Sequence, residues 1–292
     1  MAWAARSGAH TTITVTTTEA AMLRANYHQH TTFCDGRDSA EDMVRAAVAR
    51  RFEHVGFSGH MDPDIHMDWP AYVAEVTRLR AAYANKVDVL LGVELDAVYD
   101  PACCPGAEYV IGSAHFMPGH VPGSIDTSAE QTQDICDELY GGDWYAMARD
   151  YFALQANRWQ AGDCTFIGHF DLVTRFNDQT HALDELDPRY LSPAKEAMEV
   201  LAARGIPFEI NCGAVNRGRK SELYPRRELL RHLHDVGGQI VISADAHQAE
   251  LIDGCFSLAV ATAMECGFTH TNILVHERDG SVGWRQLALD TL

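Results

Sequence analysis

The chain has 292 residues, of which 47% are hydrophobic and 22% are charged, and its formal net charge is −18. This composition is typical of a globular protein with enough apolar side chains for a sizeable core. The acidic excess argues against nucleic acid or an anionic membrane as the main partner, because both are bound through basic surfaces. An anionic ligand would need positive charge concentrated at one place, from a few arginines or from bound cations.

Neither a membrane span nor a disulfide framework is indicated. No run of about 18 apolar residues occurs, and residues 1–25 lack the continuous apolar stretch of a signal peptide. The eight cysteines include no C-x-x-C pair, which favours reduced thiols in a cytoplasmic protein. We expect residues 1–24 to form an N-terminal arm, either a short strand or irregular chain, and residues 25–292 to form a single domain. The oligomeric state is left open.

Short β-branched and aromatic runs alternate with helical segments along the chain. Candidate strands cover residues 25–30, 54–60, 87–95, 109–115, 164–170, 206–212 and 239–245. Candidate helices cover residues 40–51, 69–84, 128–160, 193–204 and 225–236. Ser39 is expected to cap the first helix and Pro193 to open the fourth. This alternation predicts an α/β fold of parallel strands with crossover helices, and residues 272–287 are expected to add a strand, a turn and a second strand or short helix.

Potential metal ligands follow the ends of six of the seven predicted strands. These residues are His28, His30, His60, Glu94, His115, His169, Asp245 and His247. In a barrel of parallel strands such ends meet at one rim, where barrel enzymes build their active sites. Without a cation the groups would be costly to bury together. Because the set contains imidazole and carboxylate but no thiolate, we predict a site for divalent Zn, Fe or Mn.

Three further residues near the same rim are candidates for the site, and two of them, Arg217 and Asp35, have a second interpretation. Arg175 and Arg217 are candidates for bidentate recognition of phosphate. Alternatively, Arg217 belongs to a solvated loop with Arg219 and Lys220. Asp35 is either a further ligand or a cap for the helix that begins after Ser39.

Seven motifs between about residues 26 and 250 resemble, in order, those of the PHP (polymerase and histidinol phosphatase) superfamily, and most closely its monofunctional histidinol-phosphatase branch. They are "YHQHTTFCDGRDSAEDMVRAA", "VGFSGH", "GVELD", "YVIGSAHF", "GHFDLVTRF", "EINCGAVNRG" and "ISADAH". The resemblance implies a distorted (β/α)7 TIM-like barrel. Two departures are Ser58-Gly59-His60, where the family usually reads SDH, and the short connection 97–108.

The resemblance also implies two or three divalent metal ions at one site. The first would be held by His28, His30, Glu94 and Asp245, the second by Glu94, His115 and His169, and the third by Asp35, His60 and His247. Arg175 and Arg217 would bind substrate phosphate. Glu94 and Asp245 would be catalytic, with a hydroxide that bridges two metals attacking phosphorus.

The function implied is hydrolysis of L-histidinol phosphate to L-histidinol and phosphate, a step of histidine biosynthesis. A second enzymatic hypothesis is a PHP phosphoesterase for another small phosphomonoester or a nucleotide. A third is a non-catalytic, metal-stabilised module. Modules of the third kind tend to lose ligands, whereas this chain keeps all nine positions, so the sequence favours an enzyme acting on a small phosphorylated substrate.

Overall fold

The computed structural model of the protein describes residues 22–119 and 123–292. The strands are β1 (Ala25–Asn26), β2 (His54–Phe57), β3 (His60–Met61), β4 (Asp88–Asp96), β5 (Tyr109–Ser113), β6 (Phe166–Ile167), β7 (Phe208–Asn211), β8 (Ile240–Ser243), β9 (His270–His276) and β10 (Val282–Ala288). The α-helices are α1 (Ala40–Ala49), α2 (Trp69–Tyr83), α3 (Ala129–Tyr140), α4 (Trp144–Arg158), α5 (Asn177–Thr180), α6 (Pro188–Ala203), α7 (Gly213–Asn216), α8 (Arg227–Asp235) and α9 (Phe256–Glu265).

The strands form one curled sheet whose order follows the chain. Each neighbouring pair from β1 to β9 is parallel, with β3 continuing β2 along β4. Past the strand ends, Gln29 forms a parallel bridge with Ala246, and the His30 amide donates to the Ala246 carbonyl at 2.8 Å. This contact brings the first and last strands of the barrel together. The fold is therefore the expected distorted (β/α)7 barrel, to which β9 and the antiparallel β10 are added.

The barrel interior is packed rather than hollow. The fully buried Tyr109 places its hydroxyl 2.7 Å from the Tyr27 carbonyl and 2.8 Å from that of Phe57. A Cβ atom on Gly92 would lie 2.2 Å from the Tyr109 ring, so glycine is needed on β4 for this ring to fit. The filled interior leaves the carboxyl-terminal rim as the place where polar side chains can gather.

The sequence-based elements agree with the structure in type and position, but most strands are shorter than expected; β4 keeps its predicted length of nine residues. The first candidate strand, 25–30, is strand only at Ala25–Asn26, and 164–170 only at Phe166–Ile167. Ser39 caps α1 as expected, accepting from the Asp42 amide at 3.2 Å. Between β4 and β5 the chain makes only a short 3-10 turn, in agreement with the expectation for 97–108.

Two helix boundaries differ from the sequence prediction. Helix α6 begins at Pro188, directly after its capping residue Asp187, and Pro193, which was expected to open the helix, lies inside it. Proline is favoured at the first position of a helix, and the Asp187 cap places that position at Pro188. The predicted helical segment 128–160 is two helices, because Gly141 adopts a left-handed conformation and ends α3. Of the expected arm, residues 1–21 lie outside the described residues. No helix in the described ranges is long and apolar enough to cross a membrane.

Candidate metal centre

The nine predicted ligands meet at the carboxyl-terminal rim of the barrel. Eight of them line one cavity of about 360 Å³. The ninth, His28, packs against His30, with ring centroids 5.2 Å apart. Residues separated by more than 200 positions in sequence therefore share one site. Of the two interpretations of Asp35, the structure supports a place in the site, since Ser39 caps α1 and Asp35 Oδ2 lies 3.0 Å from His247 Nε2.

Glu94, near the end of β4, is the centre of this cluster and is 1% exposed. Ring nitrogens of five histidines lie 2.7–3.4 Å from its carboxylate oxygens, and they belong to His28, His30, His60, His115 and His169. Burial opposes ionisation of Glu94, but the neighbouring histidine charges hold its pKa well below the ordinary value. The carboxylate is thus ionised and positioned to be shared between cations.

Four overlapping groups of potential ligand atoms surround Glu94, and within each group the atoms lie within 4.8 Å of one another. The groups are His28, His30 and Asp245; His28, Glu94 and His169; His60, Glu94 and His115; and His30, Asp35, His60 and His247. The last group is the most open, because the Asp35 and His247 side chains are 38% and 23% exposed. A cation there would be more accessible to solvent and substrate than cations beside Glu94.

Unpartnered buried atoms show that these residues fit divalent cations. Five ligand-type atoms in the cluster have no hydrogen-bond partner among the described residues, namely His28 Nε2, His30 Nε2, His60 Nδ1, Glu94 Oε2 and His169 Nδ1. Leaving a buried polar atom unpaired costs about 1–3 kcal/mol, so five together are hard to explain without an ion. Burial, with the charges of His247 and His60, lowers the pKa of His30 to about 3. Burial also opposes charge on His28 and His115, but neighbouring carboxylates raise the pKa of both rings, so a cation bound there would have to displace their protons.

Two buried carboxylates that the sequence analysis missed orient these histidines. Glu209, in β7, holds its Oε1 atom 2.7 Å from His28 Nδ1, and its Oε2 atom accepts from the His169 amide at 2.9 Å. Asp96 accepts from the His115 amide at 2.6 Å and lies 3.2 Å from its Nδ1 atom. A carboxylate on one ring nitrogen leaves the lone pair on the other, which faces the site.

Asp245 reaches the site through an unusual backbone conformation rather than a continued strand. Strand β8 ends at Ser243, and Asp245 has a φ of 47°, a left-handed value that Asp tolerates better than most residues. Burial opposes its ionisation, but Arg217 and His28 hold the pKa of Asp245 well below its ordinary value. Asp245 and His247 therefore reach the site from a turn beyond the end of β8, and not as part of the strand.

The two predicted phosphate-binding arginines lie in the same cavity. Arg217 donates to the Asp245 carbonyl at 2.7 Å, and its Nη1 atom lies 2.7 Å from His247 Nδ1. Within the part of the chain that the structure describes, the ion pair of Arg175 is a 3.9 Å contact with Asp126, and its Nε atom has no hydrogen-bond partner. The solvated-loop alternative is wrong for Lys220, which is buried, whereas Arg219 is exposed at the cavity mouth.

Packing explains why Gly59 stands where the PHP motif usually has an aspartate. A Cβ atom at this position would lie 2.6 Å from the Met67 sulfur, so methionine fills the space that an aspartate would need. Another carboxylate takes its place beside the third group, because Asp62 Oδ2 lies 3.3 Å from His60 Nδ1 and the residue is 4% exposed. The site therefore retains a carboxylate partner for His60.

Comparison with known proteins agrees with this geometry. The PHP domain family matches residues 26–213. A probable histidinol-phosphatase of Deinococcus radiodurans is 28% identical over 259 residues, which are 82% of this chain and 92% of that protein. A probable histidinol-phosphatase of Schizosaccharomyces pombe is 25% identical over 288 residues, 87% of this chain and 90% of that protein.

A solved structure has the same fold. It is the histidinol phosphate phosphatase of Lactococcus lactis, solved with zinc, L-histidinol and phosphate, and its TM-score is 0.69 at 19% identity. The match covers 86% of this chain and 97% of that one. The family match spans well over half of the chain and contains seven of the nine rim ligands. The chain belongs to the PHP domain family.

Proposed function

We propose that this chain is a metal-dependent histidinol-phosphatase, which hydrolyses L-histidinol phosphate to L-histidinol and phosphate in histidine biosynthesis. Residues 25–292 would form the phosphatase barrel, with residues 1–24 as an arm before it. The names of the relatives support the substrate, since two are probable histidinol-phosphatases and the related Lactococcus structure contains zinc, L-histidinol and phosphate.

One observation carries the proposal: eight ligand side chains gather around a ninth, Glu94, beside a cavity that also holds two arginines. The ligands supply sites for cations, and the arginines supply the geometry for phosphate oxygens. This concentration of positive charge also explains how a chain with a net charge of −18 could bind an anion.

The proposed assignment of ligands is the one that the resemblance to the PHP family implies. The group His28, His30 and Asp245 belongs to its first set, whereas the groups of atoms place His169 with His28, and His115 with His60. His28, His30, Glu94 and Asp245 would hold a first cation; Glu94, His115 and His169 a second; and Asp35, His60 and His247 a third. Bound divalent cations would supply a water of lowered pKa and neutralise the charge on phosphate oxygens. Whether the ions are Zn, Fe or Mn is not set by imidazole and carboxylate ligands alone.

The protein's own side chains would hold and orient the reactants. Arg175 and Arg217 would bind phosphate oxygens on which charge is held through the transition state. The ionised Asp245 carboxylate lies 3.3 Å from His30 Nε2 and lines the cavity, where it would contact the reacting groups. Glu209 would keep His28 in the tautomer that presents Nε2 to a cation.

The test is a substrate panel assayed with zinc-loaded protein. We expect L-histidinol phosphate to give a higher kcat/KM for phosphate release than sugar phosphates or nucleotides, with Glu94→Gln as the inactive control. A higher value for another phosphomonoester would leave a PHP phosphoesterase of different specificity. Absence of turnover on every phosphoester would indicate a non-catalytic metal-binding module and overturn the proposal.

A further inference from the structure

A buried ion cluster lies next to the two chain segments that carry the arginines. It consists of Lys220, Glu185 and Arg226, and we refer to it as the Lys220 cluster. The Lys220 side chain is 1% exposed, and its Nζ atom lies 3.3 Å from Glu185 Oε1. Arg226 Nη1 lies 3.0 Å from Glu185 Oε2. The Glu185 carboxylate therefore pairs with two basic side chains, Lys220 and Arg226, that belong to a single loop.

The cluster connects the two chain segments that carry the phosphate-binding arginines. Lys220 Nζ donates to the Thr174 side-chain oxygen at 3.2 Å and lies 3.4 Å from the Thr174 carbonyl, immediately before Arg175. In its own loop, Lys220 follows Arg217 by three residues. The next amide, that of Ser221, donates to Asp178 Oδ2 at 2.7 Å and adds a second link between the segments.

Arg175 needs such support from its backbone, because its side chain has few contacts. Its ion pair with Asp126 is 3.9 Å long, and its Nε atom is buried without a hydrogen-bond partner. The side chain packs beside the Phe176 ring, 5.5 Å from the centroid. The direction of the guanidinium thus depends on where the segment 172–176 is held, and Lys220 is the buried group that bonds to it from the opposite loop.

Stability alone is a poor reason for a lysine at this place. Replacing a buried ion pair by apolar side chains of similar volume is often neutral or stabilising. The Lys220 ammonium also carries a desolvation cost that a methionine would avoid. The presence of Lys220 is better explained by its effect on geometry. Because its ammonium group bonds to acceptors on another segment, it fixes the distance between that segment and its own loop.

We propose that Lys220 is a positioning residue for phosphate recognition: it bonds the segment of Arg175 to the loop of Arg217 and so sets the spacing of the two guanidinium groups. The inference rests on the proposed function, in which these arginines bind the substrate phosphate. It predicts that loss of Lys220 weakens phosphate binding while the cations stay bound. Within the described residues, Lys220 contacts Thr174, Asp178, Glu185 and the Tyr224 ring, and none of these is a proposed cation ligand.

The test compares Lys220→Met and Lys220→Arg with Lys86→Met, an exposed lysine that supplies a control for loss of one charge. For each zinc-loaded protein we would measure the affinity for inorganic phosphate by calorimetry, the zinc content, and KM and kcat for L-histidinol phosphate. We expect Lys220→Met to weaken phosphate binding and raise KM about tenfold, as for coupled buried contacts. Zinc content should not change, kcat should change less than KM, and Lys220→Arg should recover part of the loss.

Wild-type phosphate affinity and KM in Lys220→Met would overturn the proposal, as would an equal loss in Lys86→Met. Should Lys220→Met fail to fold, Thr174→Val removes one acceptor of Lys220 and should weaken phosphate binding about threefold; unchanged affinity in that variant would also overturn it. If the wild-type protein hydrolyses no phosphomonoester, the proposed function fails, while the phosphate affinities still decide the role of Lys220.

Discussion

Replacement of Glu209 by glutamine tests how the protein orients its cation ligands. Glu209 Oε2 accepts from the His169 amide and from Asn211 Nδ2, both at 2.9 Å. A glutamine must place its carbonyl oxygen toward these two donors, so its NH₂ group turns to His28 Nδ1. The histidine then accepts there and carries its proton on Nε2, the atom that faces Glu94 at 3.0 Å.

A proton on Nε2 removes the lone pair that would bind the first cation. Loss of such an orienting partner typically costs 10–100-fold in metal affinity or activity, or about 1.4–2.7 kcal/mol. The assay is zinc binding by competition with a chelator dye, together with kcat at saturating zinc. The matched control is Glu108→Gln, since Glu108 also accepts from an amide and contacts a histidine, His276, but away from the rim. Zinc affinity in Glu209→Gln equal to that of the control would refute this account of His28.

Three further predictions concern other parts of the molecule. His115→Ala should lower kcat by orders of magnitude while the far-UV circular dichroism stays unchanged, and near-normal turnover would remove His115 from the site. Gly59→Asp should lower the free energy of unfolding in urea by about 1–3 kcal/mol through contact with Met67, and Met67→Ala in the same chain should restore part of it. Burial lowers the pKa of His276, but the bond to Asp88 raises it more, so the net pKa lies above 6.5. The stability that the charged His276 contributes is therefore present below pH 6.5 and is lost as the pH rises through the folded-state pKa. His276→Gln should therefore lower Tm more at about pH 6 than at about pH 9.

The strand ends could be read from the sequence because parallel strands impose a simple rule. Six of the seven predicted strands end in a histidine or a carboxylate, and a barrel brings such positions to one rim whatever their separation in sequence. The prediction for Glu94 and His169 therefore did not depend on exact strand boundaries. Both residues lie at the rim even though β6 has two residues where seven were expected.

The orienting carboxylates could not be read in the same way. Glu209 lies within the apolar strand "FEIN". A charged residue in a buried strand indicates that its carboxylate has polar partners, because burial without partners is costly, but it does not indicate which residues these are. Asp96 follows Glu94 by two residues, which places both on the same face of β4. Asp126 and Lys220 gave no local signal, since their roles arise only from loops that meet through the tertiary fold.

The central claim is that the rim residues bind divalent cations that make phosphate-ester hydrolysis possible. Its most direct test is to strip the protein with a chelator, add zinc in steps, and follow phosphate release from L-histidinol phosphate against zinc bound per chain. The account predicts no activity in the stripped protein and a rise to full turnover as two or three zinc ions bind. Full activity without bound metal, or no phosphate release at any zinc content, would contradict it.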